Sequence, residues 1–120
     1  DNFKVHKYYN QYDKVVNKMC HQISFGVDGK PVAADNVAAE GRITYDKRGN
    51  MTKLVCYDGY GRKVNGLRGW CEERFTYNEA GDETSEAFFD INGKAVTNTY
   101  NKYHKAVYTY NNMRMVSSVS

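Results

Sequence analysis

Short runs of apolar and β-prone residues alternate along the chain with polar clusters rich in Gly, Asp and Asn, and the alternation keeps a period. Between Ile43 and Val64 two turn signals, Asp46-Lys47-Arg48-Gly49 and Asp58-Gly59-Tyr60-Gly61, separate three strand-like runs. The same order returns one period later in Tyr77-Asn78-Glu79-Ala80-Gly81 and Phe89-Asp90-Ile91-Asn92-Gly93. It also stands one period earlier in Tyr12-Asp13-Lys14-Val15-Val16-Asn17 and Phe25-Gly26-Val27-Asp28-Gly29. Gly29, Gly61 and Gly93 follow at intervals of 32 and 32, each succeeded by a basic residue and then by Val32, Val64 or Val96. Tyr12, Tyr45, Tyr77 and Tyr110 follow at intervals of 33, 32 and 33. Two interleaved markers on one period identify a repeat architecture.

Short strands recurring at close spacing, with tight turns and no long helical pattern, predict an all-β antiparallel meander. The expected architecture is about three tandem 32-residue β-hairpin units forming a curved sheet. They make a single repeat domain over residues 1–120, with units at about 12–44, 45–76 and 77–109 and a partial repeat at 110–120. Asp28-Gly29 and Asn92-Gly93 read as type I′ turns, which need positive φ at both central residues. Asp46 to Gly49 reads as a type I turn closed by a left-handed glycine, with Asp46 accepting a backbone N–H. Gly81 repeats that glycine, and Gly61 belongs to a glycine-doubled variant. The acids, amides and glycines of these turns are therefore structural. Where the central copies have Gly49 and Gly81, the first has Val16 and the last Arg114. Erosion of this kind is common in terminal units.

Residues 1–24 carry two patterns. Tyr8, Tyr9, Tyr12, Val15, Val16, Met19, Cys20 and Ile23 follow helical spacing, so a helical N-terminal cap is one expectation. The match of Tyr12-Asp13-Lys14 and Asn17 to Tyr45 through Asn50 places a hairpin there instead. The link from Ala33 to Glu40 can form one helical turn.

Composition narrows function without naming it. The net charge of +3 comes from basic residues scattered beside acids, which speaks against nucleic acid. No apolar run is long enough to span a bilayer, so no membrane-spanning helix is expected. The sequence opens at Asp1 without a methionine, as after removal of a leader or trimming. Three cysteines, an odd number without metal-ligand spacing, read as buried free thiols, or as one disulfide plus a free thiol if the protein is exported. His6, His21 and His104 stand in no catalytic motif. Cys20-His21 and Glu72-Glu73 each point to opposite faces if extended. We expect no enzyme, no cofactor and no metal. Tyrosine is abundant, with 11 in the chain, and the candidate ligand platform is aromatic: Trp70, Tyr57, Tyr60, Tyr77 and Phe89. Trp70, flanked by Gly69 and outside the repeat markers, leads that set. The competing reading makes these rings the core of a thin sheet. Exposed sheet edges allow self-association.

Tyr45-Asp46-Lys47-Arg48-Gly49-Asn50, Tyr77-Asn78-Glu79-Ala80-Gly81-Asp82, Tyr57-Asp58-Gly59-Tyr60-Gly61 and Phe89-Asp90-Ile91-Asn92-Gly93 resemble the tyrosine-aspartate repeats of bacterial surface and secreted proteins, the YD or Rhs type. The resemblance spans about residues 12–116. It departs in unit length, the period being longer than the usual spacing, and in the turn glycine of both outer copies. It implies a secreted or cell-surface scaffold built of curved β-sheet, with a protein partner in place of a substrate. Phe88-Phe89-Asp90-Ile91-Asn92-Gly93-Lys94 and Gly69-Trp70 also resemble glucan- and choline-binding cell-wall repeats. That resemblance implies polysaccharide binding through exposed aromatics, although those repeats use several tryptophans and this chain has one.

Overall fold

The computed structural model describes residues 7–33, 38–98, 103–110 and 116–119. Among these residues eight strands follow one another: β1 (Lys7–Asp13), β2 (Lys18–Phe25), β3 (Glu40–Tyr45), β4 (Met51–Tyr57), β5 (Glu72–Tyr77), β6 (Glu83–Phe89), β7 (Lys105–Tyr110) and β8 (Val116–Val119). Their order across the sheet is their order in the chain, and each neighbouring pair is antiparallel. The protein is an all-β meander in one open sheet, with β1 and β8 outermost. Residues 1–6 lie outside the described residues, and over residues 7–24 the helical alternative gives way to β1 and β2. Its apparent helical spacing arises because two alternating strands flank a short turn. Asp13 Oδ1 accepts the N–H groups of Val15 and Val16 in that turn, and Val15 is 85% exposed. Residues 34–37, on which the helical turn of the Ala33–Glu40 link falls, and Arg114 lie outside the described residues, while Glu40 itself opens β3.

The repeat survives in atomic detail. The N–H groups of Val32, Val64 and Val96 donate to the carbonyls of Ser24, Cys56 and Phe88, the same bond recurring once per period. The first three hairpins each carry a β-bulge at the same register point, and the extra residues are Cys20, Thr52 and Thr84. The two longer tyrosine intervals have separate causes. Tyr12 pairs with Met19 where Tyr45 pairs with Met51, so the first turn is one residue longer. The second extra residue lies in the link after Val96, because the Phe88 N–H donates to His104 O where the Cys56 N–H donates to Cys71 O.

One turn geometry serves both turn classes. The N–H of Gly29, Gly49, Gly81 and Gly93 donates back to the carbonyl of Gly26, Asp46, Asn78 and Asp90, and all four glycines have φ between 78° and 89°. The residues before two of them, Asp28 and Asn92, do not take positive φ. The type I′ expectation is corrected to a type I turn with a glycine bulge, in which only the closing residue is left-handed. In the first copy that residue is Asn17 (φ 56°), not Val16, because the longer turn moves the position by one. Asparagine tolerates the left-handed region where valine does not.

Cross-strand partners share a face. One face carries Leu54, Cys56, Phe88 and Tyr77, and the links fold back over it. Cys56, Trp70 and Phe88 form its centre, with Ala38, Leu54, Val64, Val96 and Tyr103 packed around them. The links thus supply the second layer that a single sheet lacks.

Candidate functional site

Hairpins join through a narrow seam. Within a hairpin the strands pair along most of their length, whereas β2–β3, β4–β5 and β6–β7 each pair over three residues and then fan apart. The repeat tyrosines bridge the fans. Tyr45 Oη donates to Met19 O (2.5 Å), Tyr77 Oη to Met51 O (2.6 Å) and Tyr110 Oη to Glu83 O (2.5 Å). Basic side chains add a second bridge, Lys18 Nζ to Gly49 O (2.8 Å) and Arg48 Nη1 to Glu79 O (2.6 Å).

The five candidate rings do not meet on one surface. Trp70 is 3% exposed and packs on Phe88 at 5.4 Å between ring centroids. It occupies a repeat position, since Ala38, Trp70 and Tyr103 are successive link residues against the same face. The sequence could not show this, because the three side chains share little beyond their packing. Tyr77 lies on that face too, its hydroxyl engaged in the seam. Tyr57 and Phe89 lie on the opposite face, capped by the guanidinium groups of Arg42 and Arg74, each 3.9 Å from the ring centroid. Tyr60 stands at a turn, 67% exposed.

The Arg-capped face carries a second periodic motif, separate from the turn and tyrosine markers. Glu40-x-Arg42 and Glu72-x-Arg74 precede Thr44-Tyr45 and Thr76-Tyr77 in successive copies, and each acid pairs with its arginine. That spacing was a legible signal. Glu40 is 2% exposed and also holds His21 Nε2 at 2.5 Å. Beside this pair the fan between β2 and β3 opens as a groove of about 480 Å³, lined by Gln11, Cys20, His21, Arg42, Thr44 and Tyr45 among others. Cys20 and His21 both reach it because Cys20 is the bulge residue, where strand alternation breaks. A second, more apolar hollow of about 240 Å³ is lined by Ala38, Tyr57, Val64 and Leu67 among others.

On the core face, Glu72 and Glu73 do point to opposite sides, but Glu73 finds another acid across the strand pair. Burial, and next the hydrogen bond and charge of Glu86, push the Glu73 carboxyl up to about 8. Glu86 accepts the hydroxyls of Tyr103 and Tyr108. Burial raises the Cys56 thiol to about 12, and Cys71 rises for the same reason. Among the described residues no group of three or more His, Cys, Asp or Glu side chains is placed to hold a metal ion, and no helix is long and apolar enough to cross a membrane. No protein-family model matches the sequence, and a search of curated proteins finds no significant match.

Proposed function

We propose that the chain is a non-enzymatic repeat scaffold of the tyrosine-aspartate type, secreted or displayed on a bacterial surface, whose role is to present a surface to a protein partner. The observation that carries this reading is the use of the repeat residues themselves. The hydroxyls of Tyr45, Tyr77 and Tyr110 hold successive hairpins together, and Trp70 holds a link onto the sheet. Residues that recur with the period build the array; they are not spent on a substrate.

A polysaccharide-binding module is the alternative, favoured by Tyr60 and Leu67, 67% and 55% exposed, and by the apolar hollow that Leu67 helps to line. Retention on insoluble cell wall and a panel of polysaccharides separates the two. The scaffold reading expects no retention and a blue-shifted emission from Trp70, the single tryptophan, in the free protein. Saturable retention that Tyr60→Ala or Leu67→Ala abolishes would replace it with the polysaccharide reading.

A further inference from the structure

The seam between hairpins has two different halves, and the outer strands each carry one. The first half is the leading strand of a hairpin with its tyrosine: β3 with Tyr45, β5 with Tyr77 and β7 with Tyr110. The second half is the trailing strand of the preceding hairpin, whose accepting carbonyls belong to Met19, Met51 and Glu83. These acceptors sit at one register point, opposite Tyr12, Tyr45 and Tyr77 respectively. Among the described residues β1 is the outermost leading strand, and Tyr12 is its repeat tyrosine. Tyr12 is 57% exposed, and its hydroxyl has no partner among the described residues; Tyr8 and Tyr9 of the same strand are 51% and 48% exposed. β8 is a trailing strand at the opposite edge, and Val116, paired with Tyr110, stands where Met19, Met51 and Glu83 stand in their hairpins.

We propose that a second copy of this chain docks head-to-tail, setting its β1 edge against the β8 edge of the first and continuing the internal seam between molecules. The seam already repeated within the chain defines the geometry: antiparallel pairing, with the Tyr12 hydroxyl on the Val116 carbonyl. Edge strands are ready templates for such pairing. The contact is heterologous, so it propagates into an open array or closes as a ring and does not stop at a symmetric dimer by itself. The proposal rests on the scaffold reading, but the two fail separately, since polysaccharide retention and molecular mass are different readouts.

The test is the mass of the 120-residue chain by analytical ultracentrifugation over a wide concentration range. The expected result is a mass that climbs past dimer with concentration. Tyr12→Lys, which places a charge on the edge, is expected to be monomeric with an unchanged circular dichroism spectrum. Tyr12→Phe, which loses only the hydroxyl, is expected to dissociate about three- to tenfold more readily. Tyr12→Lys keeps its β8 edge, so adding it to the unmodified chain must shorten the oligomers by capping them. A monomer at every concentration overturns the proposal. So does a mass that stops at dimer and is not lowered by the capping variant, the signature of β1–β1 pairing. If Tyr12→Lys changes the spectrum, Tyr12→Phe decides, and an undiminished mass with that variant overturns the proposal.

Discussion

A tyrosine that the sequence marks as the opening of a turn acts at the other end of its side chain. Tyr77 sits half-buried in the fan between β4 and β5, and its hydroxyl satisfies the Met51 carbonyl one hairpin back. Removing one partner of a sheltered hydrogen bond leaves the other unmet. Tyr77→Phe is expected to cost about 1–2 kcal/mol in urea unfolding. Tyr60→Phe, at an exposed ring, is expected to change stability by less than about 0.5 kcal/mol. Equal effects at the two sites would remove the seam role. The period of these tyrosines was plain in the sequence, but their acceptors were not. A backbone carbonyl in the preceding hairpin leaves no mark on residue type. Trp70 was hidden for a related reason: a packing position filled by Ala38, Trp70 and Tyr103 offers no chemical signature to align.

At the scale of elements, the strands and turns were legible because period-two alternation and closing glycines are local signals. Turn type was less so. Asp28-Gly29 and Asn92-Gly93 carry the dipeptides of a two-residue hairpin loop. The chain instead closes the turns at Gly29, Gly49, Gly81 and Gly93 with one bulged geometry, set by the register that the rest of the hairpin imposes. The 58–61 turn shows how tightly neighbouring units then meet. Gly59 has φ +89°, where Val27 and Ile91 hold the same place in the other copies, and a Cβ built on it falls 2.4 Å from Pro31 Cβ. Gly61, at the same φ, would meet nothing within 4 Å. Gly61→Ala therefore carries only the left-handed backbone cost of about 1–2 kcal/mol. Gly59→Ala adds a clash with a rigid ring in the preceding unit and is expected to cost more. Pro31→Gly, which removes both the Cβ and the Cγ that the new methyl group meets, should return part of that extra loss in a double-mutant cycle, since residues in contact couple. Strict additivity would show that the two turns do not touch.

For the molecule as a whole, the open sheet buries only one face well, and the links that cover it bring acids together. Glu73 on β5 lies near Glu83 and Glu86 of β6, with Arg68 of the preceding link and Tyr77 of its own strand contributing charge or hydroxyl groups. Tyr103 and Tyr108 donate to Glu86 from the far side. Burial, and next the hydrogen bond and charge of Glu86, favour the protonated form, which is why the folded Glu73 carboxyl is pushed up to about 8 from an ordinary value of 4.5. Glu83 is raised as well, by burial and by the charge of Glu86. A carboxyl raised on folding binds more protons in the folded than in the unfolded chain. Stability is then fully present below about pH 4.5 and falls as pH climbs towards 8. Asp46 runs the opposite way: its carboxyl is held low, chiefly by the Asn50 N–H and then by that of Arg48. Its contribution is lost only at more acid pH, below its ordinary value of 3.8. The thiols of Cys56 and Cys71 weigh against stability only from about pH 9 upward, their ordinary value. Between about pH 5 and 8 the buried acids therefore add a falling slope. Urea midpoints at pH 5, 6.5 and 8 should decline in that order, and Glu73→Gln, which keeps a donor at the site without a titrating proton, should flatten the decline. Glu83 leaves a residual slope. Flat midpoints in the unmodified chain, or an unchanged slope in Glu73→Gln, would mean that the pair is solvated and does not share a proton. The sequence could not reveal the pair, since Glu73 and Glu86 are joined only by the register of a bulged hairpin.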